Sequence, residues 1–242
     1  MQFDLFSTPP NCGLANEAAL PTQTHLIHAL GDQRIVEHRD FVRAADAPSV
    51  YDRIDVETAW RADTIRIAGR VIPVPRLQYW VGEPHCHYAY SGIALRPSPW
   101  TALLSSLRSQ VEEMAGTRYN CVLLNKYRDG SDSVSWHADD EPQLGSSPSI
   151  ASLSLGAVRR FHLKPKPEPK TAASKSINAT TSELGPERRY TLDLLSGSLL
   201  VMQPGVQEHW LHQVPKTARA TGPRINLTFR YIPLTSEAGK LV

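Results

Sequence analysis

Arg224-Ile-Asn-Leu-Thr-Phe-Arg-Tyr-Ile232 alternates polar and apolar side chains along its first seven residues. On extended backbone, successive side chains point to opposite faces. Arg224, Asn226, Thr228 and Arg230 therefore share one face, and Ile225, Leu227 and Phe229 take the other. The segment reads as a strand whose apolar face is buried. A strand that turns two guanidinium groups inward needs an anion, and bidentate contacts suit a dicarboxylate. Upstream, Cys121-Val-Leu-Leu, Ser149-Ile-Ala-Ser-Leu-Ser-Leu, Arg160-Phe-His-Leu, Tyr190-Thr-Leu-Asp-Leu-Leu and Ser198-Leu-Leu-Val-Met are likewise rich in β-formers or alternate in polarity. Short strands separated by turn signals predict a mainly β domain with flanking helices, either a sandwich or a jelly roll.

Two helices are expected ahead of these strands. Val50, Ile54, Val56 and Trp60 suit a short helix, after which Thr64-Ile-Arg-Ile alternates as a strand. The second helix carries the clearer signal. Ser98 reads as its N-cap and Pro99 as its first position. Trp100, Leu103, Leu104, Leu107, Val111 and Met114 form one buried face, and Gly116 is the stop. Residues 1–45 lack periodicity and read as an irregular arm, residues 46–235 as the domain and residues 236–242 as a tail. Lys164 to Glu187 is poor in large apolar residues and is expected to be a long exposed loop, bounded at about 188.

With 242 residues, one domain is the default. Apolar residues make up 41% and charged residues 21%, yet no apolar run approaches the ~20 residues of a membrane helix. Cys12, Cys86 and Cys121 are odd in number and scattered, and Met1-Gln-Phe-Asp-Leu-Phe lacks the features of a secretory signal. These readings point to a protein that does not enter a membrane, in the cytoplasm or, in a eukaryote, also the nucleus; a monomer is the expectation. The net charge of +2 is too small to argue for nucleic acid. Between Arg159 and Arg189, eight cations (Arg159, Arg160, Lys164, Lys166, Lys170, Lys175, Arg188, Arg189) face three glutamates, Glu168, Glu183 and Glu187. That stretch is either a phosphate-attracting surface or a solvated loop.

The chemistry concentrates in Trp136-His137-Ala138-Asp139-Asp140-Glu141, just after Asn125-Lys-Tyr127-Arg-Asp-Gly130. At i and i+2 on extended backbone, His137 and Asp139 can share one metal ion. Glu208-His209-Trp210-Leu211-His212, read as a strand, offers His209 and His212 as the third ligand. Two histidines and one carboxylate make the facial triad of oxygen-activating Fe(II) enzymes, which leaves coordination sites open. Three consecutive residues of a strand cannot all face one ion, so His85-Cys86-His87 is set aside as a second site.

Taken together, several motifs resemble the AlkB family of nucleic-acid demethylases. They are Asn125-x-Tyr127-x-Asp-Gly130, Trp136-His-x-Asp-Asp-Glu141, Ile150-Ala-Ser-Leu-Ser-Leu-Gly-Ala157 with Arg160-Phe161, Gly197-Ser-Leu-Leu-Val-Met202, His212-x-Val-Pro-Lys216 and Arg224-x-Asn-Leu-Thr-Phe-Arg230. The resemblance runs in order from about Arg66 to Ile232. It implies a double-stranded β-helix (jelly-roll) core with a nucleotide-recognition lid over about residues 66–95, and a dioxygenase using Fe(II), 2-oxoglutarate and O2. By the same resemblance His137, Asp139 and His212 hold the iron, and His209 is structural. Arg224, Asn125 and Tyr127 bind the distal carboxylate of 2-oxoglutarate, and Asn226 and Arg230, on the strand face shared with Thr228, meet the carboxylate nearest the metal.

Pro75-Arg76-Leu-Gln-Tyr-Trp80 and His87-Tyr88-Ala-Tyr90-Ser-Gly92 resemble the family's lid. A base must leave its stack to be modified, so Tyr90 is expected to sandwich it against His137, with Tyr88, Arg76 and Trp136 nearby. Asp140 and Glu141 would favour cationic bases such as 1-methyladenine and 3-methylcytosine over neutral ones. The implied activity is oxidative demethylation of alkylated DNA, and by extension RNA, as direct repair of alkylation damage, releasing formaldehyde, succinate and CO2. The alternative is a 2-oxoglutarate-dependent hydroxylase of a protein or small molecule.

Overall fold

The computed structural model describes residues 25–67, 69–90, 93–167 and 189–234. The chain runs through β1 (His25–Leu30), β2 (Gln33–His38), α1 (Ala47–Glu57), β3 (Thr64–Ile67), β4 (Arg70–Pro73), β5 (Leu77–Gly82), β6 (Tyr88–Tyr90), β7 (Ile93–Leu95) and α2 (Ala102–Ala115). It continues through β8 (Cys121–Tyr127), β9 (Val134–His137), β10 (Ile150–Gly156), β11 (Arg159–Pro165), β12 (Tyr190–Leu194), β13 (Leu199–Met202), α3 (Val206–His209), β14 (Trp210–Val214) and β15 (Arg224–Arg230). Seven strands form one sheet in the order β1-β2-β13-β10-β15-β8-β5, and four form another in the order β12-β11-β14-β9. The hairpins β3-β4 and β6-β7 stand apart from both. The expected mainly β jelly roll with flanking helices is what the chain adopts.

The strand β15 shows why the layers stack as they do. Ile225, Leu227 and Phe229 join Val50 and Ile54 of α1 and Leu103, Leu107 and Val111 of α2 in one buried cluster. Burying each such side chain contributes about 1.5–3 kcal/mol, and a one-residue slip would drive both arginines into that cluster. Register is therefore fixed, and Arg224, Asn226, Thr228 and Arg230 look the other way. That side holds a second cluster, in which Leu123 and Tyr127 of the large sheet meet Phe161, Leu163 and Val214 of the small one. The functional cavity opens on this side, lined from both sheets.

Several sequence expectations are corrected. Residues 25–38, expected to be irregular, form the β1-β2 hairpin, and β2 pairs with β13 through Val36 and Val201. The turn at Gly31-Asp32, with Gly31 at φ 68°, was a readable hairpin signal. Residues 1–24, 168–188 and 235–242 lie outside the described residues. That includes most of the expected loop and all of the tail.

The second helix begins later than expected, after Thr101 rather than Ser98. Ser98 is held extended against β5, its N–H donating to Trp80 O (3.0 Å) and its carbonyl accepting from Gly82 N (3.1 Å). Thr101 therefore caps the helix, its hydroxyl oxygen accepting from Leu104 N at 3.2 Å, and Gly116 in the left-handed conformation ends it as expected. Met114, assigned to the buried face of the second helix, is exposed, as is Val56 of the first. The first helix also ends at Glu57, short of Trp60, whose indole instead donates to Asp55. Thr101→Ala is expected to lower unfolding stability by about 1 kcal/mol, read as a shifted urea midpoint with an unchanged slope.

Candidate metal and cosubstrate centre

Two strands and one loop bring His137, Asp139 and His212 together. His137 closes β9 and is the direct cross-strand partner of His212 on β14, their ring centroids 4.2 Å apart. Asp139 follows two residues past the end of β9. One ligand atom from each of the three lies within 4.8 Å of the others, the only such group of His, Cys, Asp or Glu among the described residues. His209 is not in it. It ends the short helix α3, exposed, rather than lying on the strand expected for it.

Each ligand is held by its surroundings. His137 Nδ1 lies 2.8 Å from Ser135 O, and a proton there leaves the Nε2 lone pair for a metal. His212 Nε2 lies 3.6 Å from Asp139 Oδ2. Arg230 Nη2 donates to Asp139 Oδ1, and Asp139 N donates to Gln207 Oε1 at 2.9 Å. Burial alone would raise the Asp139 carboxyl, but Arg230 and the two imidazoles outweigh it and hold it well below the usual carboxylate range. Burial, with repulsion from His137, lowers His212 to about 3 despite the attraction of Asp139. At neutral pH Asp139 is thus an anion and His212 a neutral imidazole, the forms a divalent cation needs. Two imidazoles and a carboxylate fit iron(II), and three protein ligands leave room for a chelating cosubstrate.

Beside it in the same cavity lies a buried guanidinium. Arg224 is 1% exposed, donates Nη2 to Ser154 Oγ at 2.9 Å and lies over the Tyr127 ring at 5.1 Å. Its Nε and Nη1 are buried without a hydrogen-bond partner among the described residues. Burial, with Arg159 adding repulsion, pulls this guanidinium down to about 10. An orphaned buried cation is costly, and a carboxylate in the cavity relieves it. Asn125 Oδ1 accepts from Arg76 Nε (2.8 Å) and Gln78 Nε2 (3.0 Å), which fixes the amide with Nδ2 as the donor left over. Asn226 is differently engaged: Nδ2 donates to Ser152 Oγ (2.8 Å) and Leu153 O (3.0 Å), and Oδ1 accepts from Thr228 Oγ1 (2.9 Å). Asn226 and Thr228 line the cavity while their polar atoms bond to the protein.

On the substrate side the expected residues separate. Arg76 is buried on the cosubstrate side, tied to Asn125 and to Ser133 O. Tyr88 is buried too. It stacks on Trp80 at 4.8 Å and has the Arg230 guanidinium 5.4 Å from its ring, so it joins the β6-β7 hairpin to the centre. Burial, and then the nearby carboxylates Asp139 and Glu141, raise its phenol far above its ordinary value. Trp136 is half-buried, with Lys164 Nζ 4.5 Å from its ring. Asp140 is exposed and pairs with Lys166. Glu141 keeps a buried Oε2 without a partner among the described residues. The side chain of Tyr90 lies outside what is described.

Sequence reasoning missed four supporting residues. Ser154 was findable, because it pairs directly with Asn226 and alternates with Leu153 and Leu155. Gln78 and Gln207 gave no signal in their spacing. Arg159, counted in the basic stretch, is buried and donates to the carbonyls of Asp129, Asp132 and Pro215, so it braces loops and leaves the surface.

Comparison with known proteins follows the same lines. Residues 35–230 match the family model of the 2OG-Fe(II) oxygenase superfamily. The chain is 38% identical over 203 residues to Alpha-ketoglutarate-dependent dioxygenase alkB homolog 3 of Bos taurus, covering 84% of this chain and 67% of that protein. It is 34% identical over 196 residues to DNA oxidative demethylase ALKBH2 of Mus musculus, covering 80% of this chain and 78% of that protein. Among solved structures, that of OsALKBH1 superposes with a TM-score of 0.54 at 16% identity, over 85% of this chain and 100% of the other, a likeness of fold.

Proposed function

This chain belongs to the 2OG-Fe(II) oxygenase superfamily and within it to the AlkB family, and from that premise we propose that it repairs DNA by oxidatively removing methyl groups from ring nitrogens of its bases. It is a dioxygenase that uses Fe(II), 2-oxoglutarate and O2. The observation that carries the reading is one cavity in which the His137, Asp139 and His212 cluster adjoins a buried Arg224 whose Nε and Nη1 have no hydrogen-bond partner among the described residues.

In this reading His137, Asp139 and His212 hold the iron, and Arg224, assisted by Asn125 and Tyr127, takes the distal carboxylate of 2-oxoglutarate. Arg230 fixes Asp139 from behind, while Asn226 and Thr228 brace the cradle wall. When bound, the iron with cosubstrate and dioxygen supplies the oxidant that hydroxylates the N-methyl group, which leaves as formaldehyde. The protein's own part is to orient both reactants and exclude water. Residues 46–235, together with the β1-β2 hairpin that completes the large sheet, constitute the catalytic domain.

Lesion choice falls to Glu141 in this reading. Asp140 is paired with Lys166, whereas Glu141, next to the Tyr88 phenol, keeps one carboxylate oxygen, Oε2, without a partner among the described residues. A base methylated at a ring nitrogen carries positive charge, and a carboxylate about 4 Å away favours it by about 1 kcal/mol even at the dielectric of water. Glu141→Gln should therefore lower kcat/KM for 1-methyladenine and 3-methylcytosine about fivefold more than for neutral ethenoadenine, since about 1.4 kcal/mol corresponds to tenfold. Equal losses on charged and neutral lesions, measured in one oligonucleotide context, would remove Glu141 from this role.

A further inference from the structure

We infer that Gln207 is a positioning residue for the metal centre, holding the main chain of Asp139 so that its carboxylate stays aimed at the ion. His137 and His212 are fixed by the ladder between β9 and β14. Asp139 is the one ligand outside a strand, and a loop residue needs external clamps to hold its geometry. Arg230 supplies one clamp, on the carboxylate. Gln207 supplies the other, on the backbone, across 68 positions of sequence.

The Gln207 side chain is completely buried, where a primary amide is tolerated only if its groups are bonded. Both ends are. Oε1 accepts the Asp139 N–H at 2.9 Å, and Nε2 donates to Met202 Sδ at 3.3 Å. A thioether cannot donate, so Met202 dictates which way the amide points: its NH2 toward the sulfur and its oxygen toward Asp139. Met202 itself lines the metal cavity. The backbone carrying Gln207 is anchored in turn. Gly205, at φ 92°, opens α3 against the Gln33 side chain, and Trp210 Nε1 donates to Gln33 Oε1 at 3.4 Å. Through Gln207, the β1-β2 hairpin braces the metal loop.

The inference rests on reading the triad as the iron site, and its test needs no turnover. Mn(II) is titrated into the metal-free full chain without 2-oxoglutarate, and the affinity is read by calorimetry. Gln207→Met keeps the volume but removes the acceptor, whereas Gln207→Glu keeps an acceptor. The Gln207→Met change should raise the Mn(II) Kd about tenfold or more, the range for partners behind metal ligands, and Gln207→Glu should stay within about threefold of wild type. Unchanged affinity in Gln207→Met overturns the inference. So do equal losses in both variants, which would make Gln207 a packing residue. Should Gln207→Met fail to fold, Met202→Leu frees the amide to turn and is expected to weaken Mn(II) about threefold or more, with wild-type affinity there counting against the inference. Asp139→Ala separates the two levels: if it binds Mn(II) as wild type does, the metal reading itself fails, whatever Gln207 does.

Discussion

His137→Ala, Asp139→Ala and His212→Ala are each expected to abolish 2-oxoglutarate turnover, while His209→Ala keeps most of it. Loss of a direct ligand removes one of three protein bonds to the ion and disturbs the other two. The fall should exceed the about 100-fold upper range for residues acting behind the ligands. Asp139→Ala carries an added penalty, because it also strips Arg230 of its counter-ion at a site 4% exposed. The measurement is succinate formed per enzyme, paired with Mn(II) affinity of each variant. His209 is exposed and outside the cluster, so its loss should leave both readouts near wild type. A lethal His209 change beside a harmless His212 change would contradict the ligand assignment.

Arg224→Lys is expected to raise the apparent KM for 2-oxoglutarate about 10- to 100-fold, the equivalent of losing a charged hydrogen bond of about 1.5–3 kcal/mol. The lysine keeps the charge but cannot reproduce a planar fork, and its shorter reach leaves Ser154 without its donor. The effect should fall on KM at saturating oligonucleotide, with kcat moving less, because the interaction binds the cosubstrate before and during reaction alike. Tyr127→Phe provides a milder comparison, since the ring beneath the guanidinium remains. An unchanged dependence of rate on 2-oxoglutarate concentration would contradict an anion cradle at Arg224.

How far the sequence spoke depends on the range of each interaction. The alternation in Arg224–Arg230 was legible because the strand period is local, and it placed both arginines correctly on the cavity side. His137 and Asp139 were legible for the same reason. The choice of His212 over His209 was not legible from spacing. It is decided by α3, which turns His209 outward, and by the cross-strand pairing that sets His212 opposite His137. Burial of Asp139 against Arg230, 91 positions away, left no local trace, and neither did the clamp from Gln207. The β1-β2 hairpin left a local trace only in its Gly31-Asp32 turn, because its core-facing residues acquire meaning only once β2 meets β13. Ser98 failed as a helix cap because a tertiary bridge to β5 claimed its backbone first.

Asp140 and Glu141 were legible as a pair and behave differently once folded. Lys166, 26 positions from Asp140, takes one carboxylate, and the other keeps a buried Oε2 without a hydrogen-bond partner among the described residues, beside the Tyr88 phenol. Which member of an acidic pair is available to a substrate is a property of tertiary structure.

The central claim is tested most directly by incubating the protein with Fe(II), 2-oxoglutarate, air and a DNA oligonucleotide carrying a single 1-methyladenine, then weighing the oligonucleotide by mass spectrometry. The expected product is lighter by one methylene and accompanied by equal amounts of formaldehyde and succinate, with no change in a parallel His212→Ala reaction. Succinate formation with no loss of mass across a panel of methylated DNA and RNA oligonucleotides would contradict the account and leave an oxygenase of a protein or small molecule.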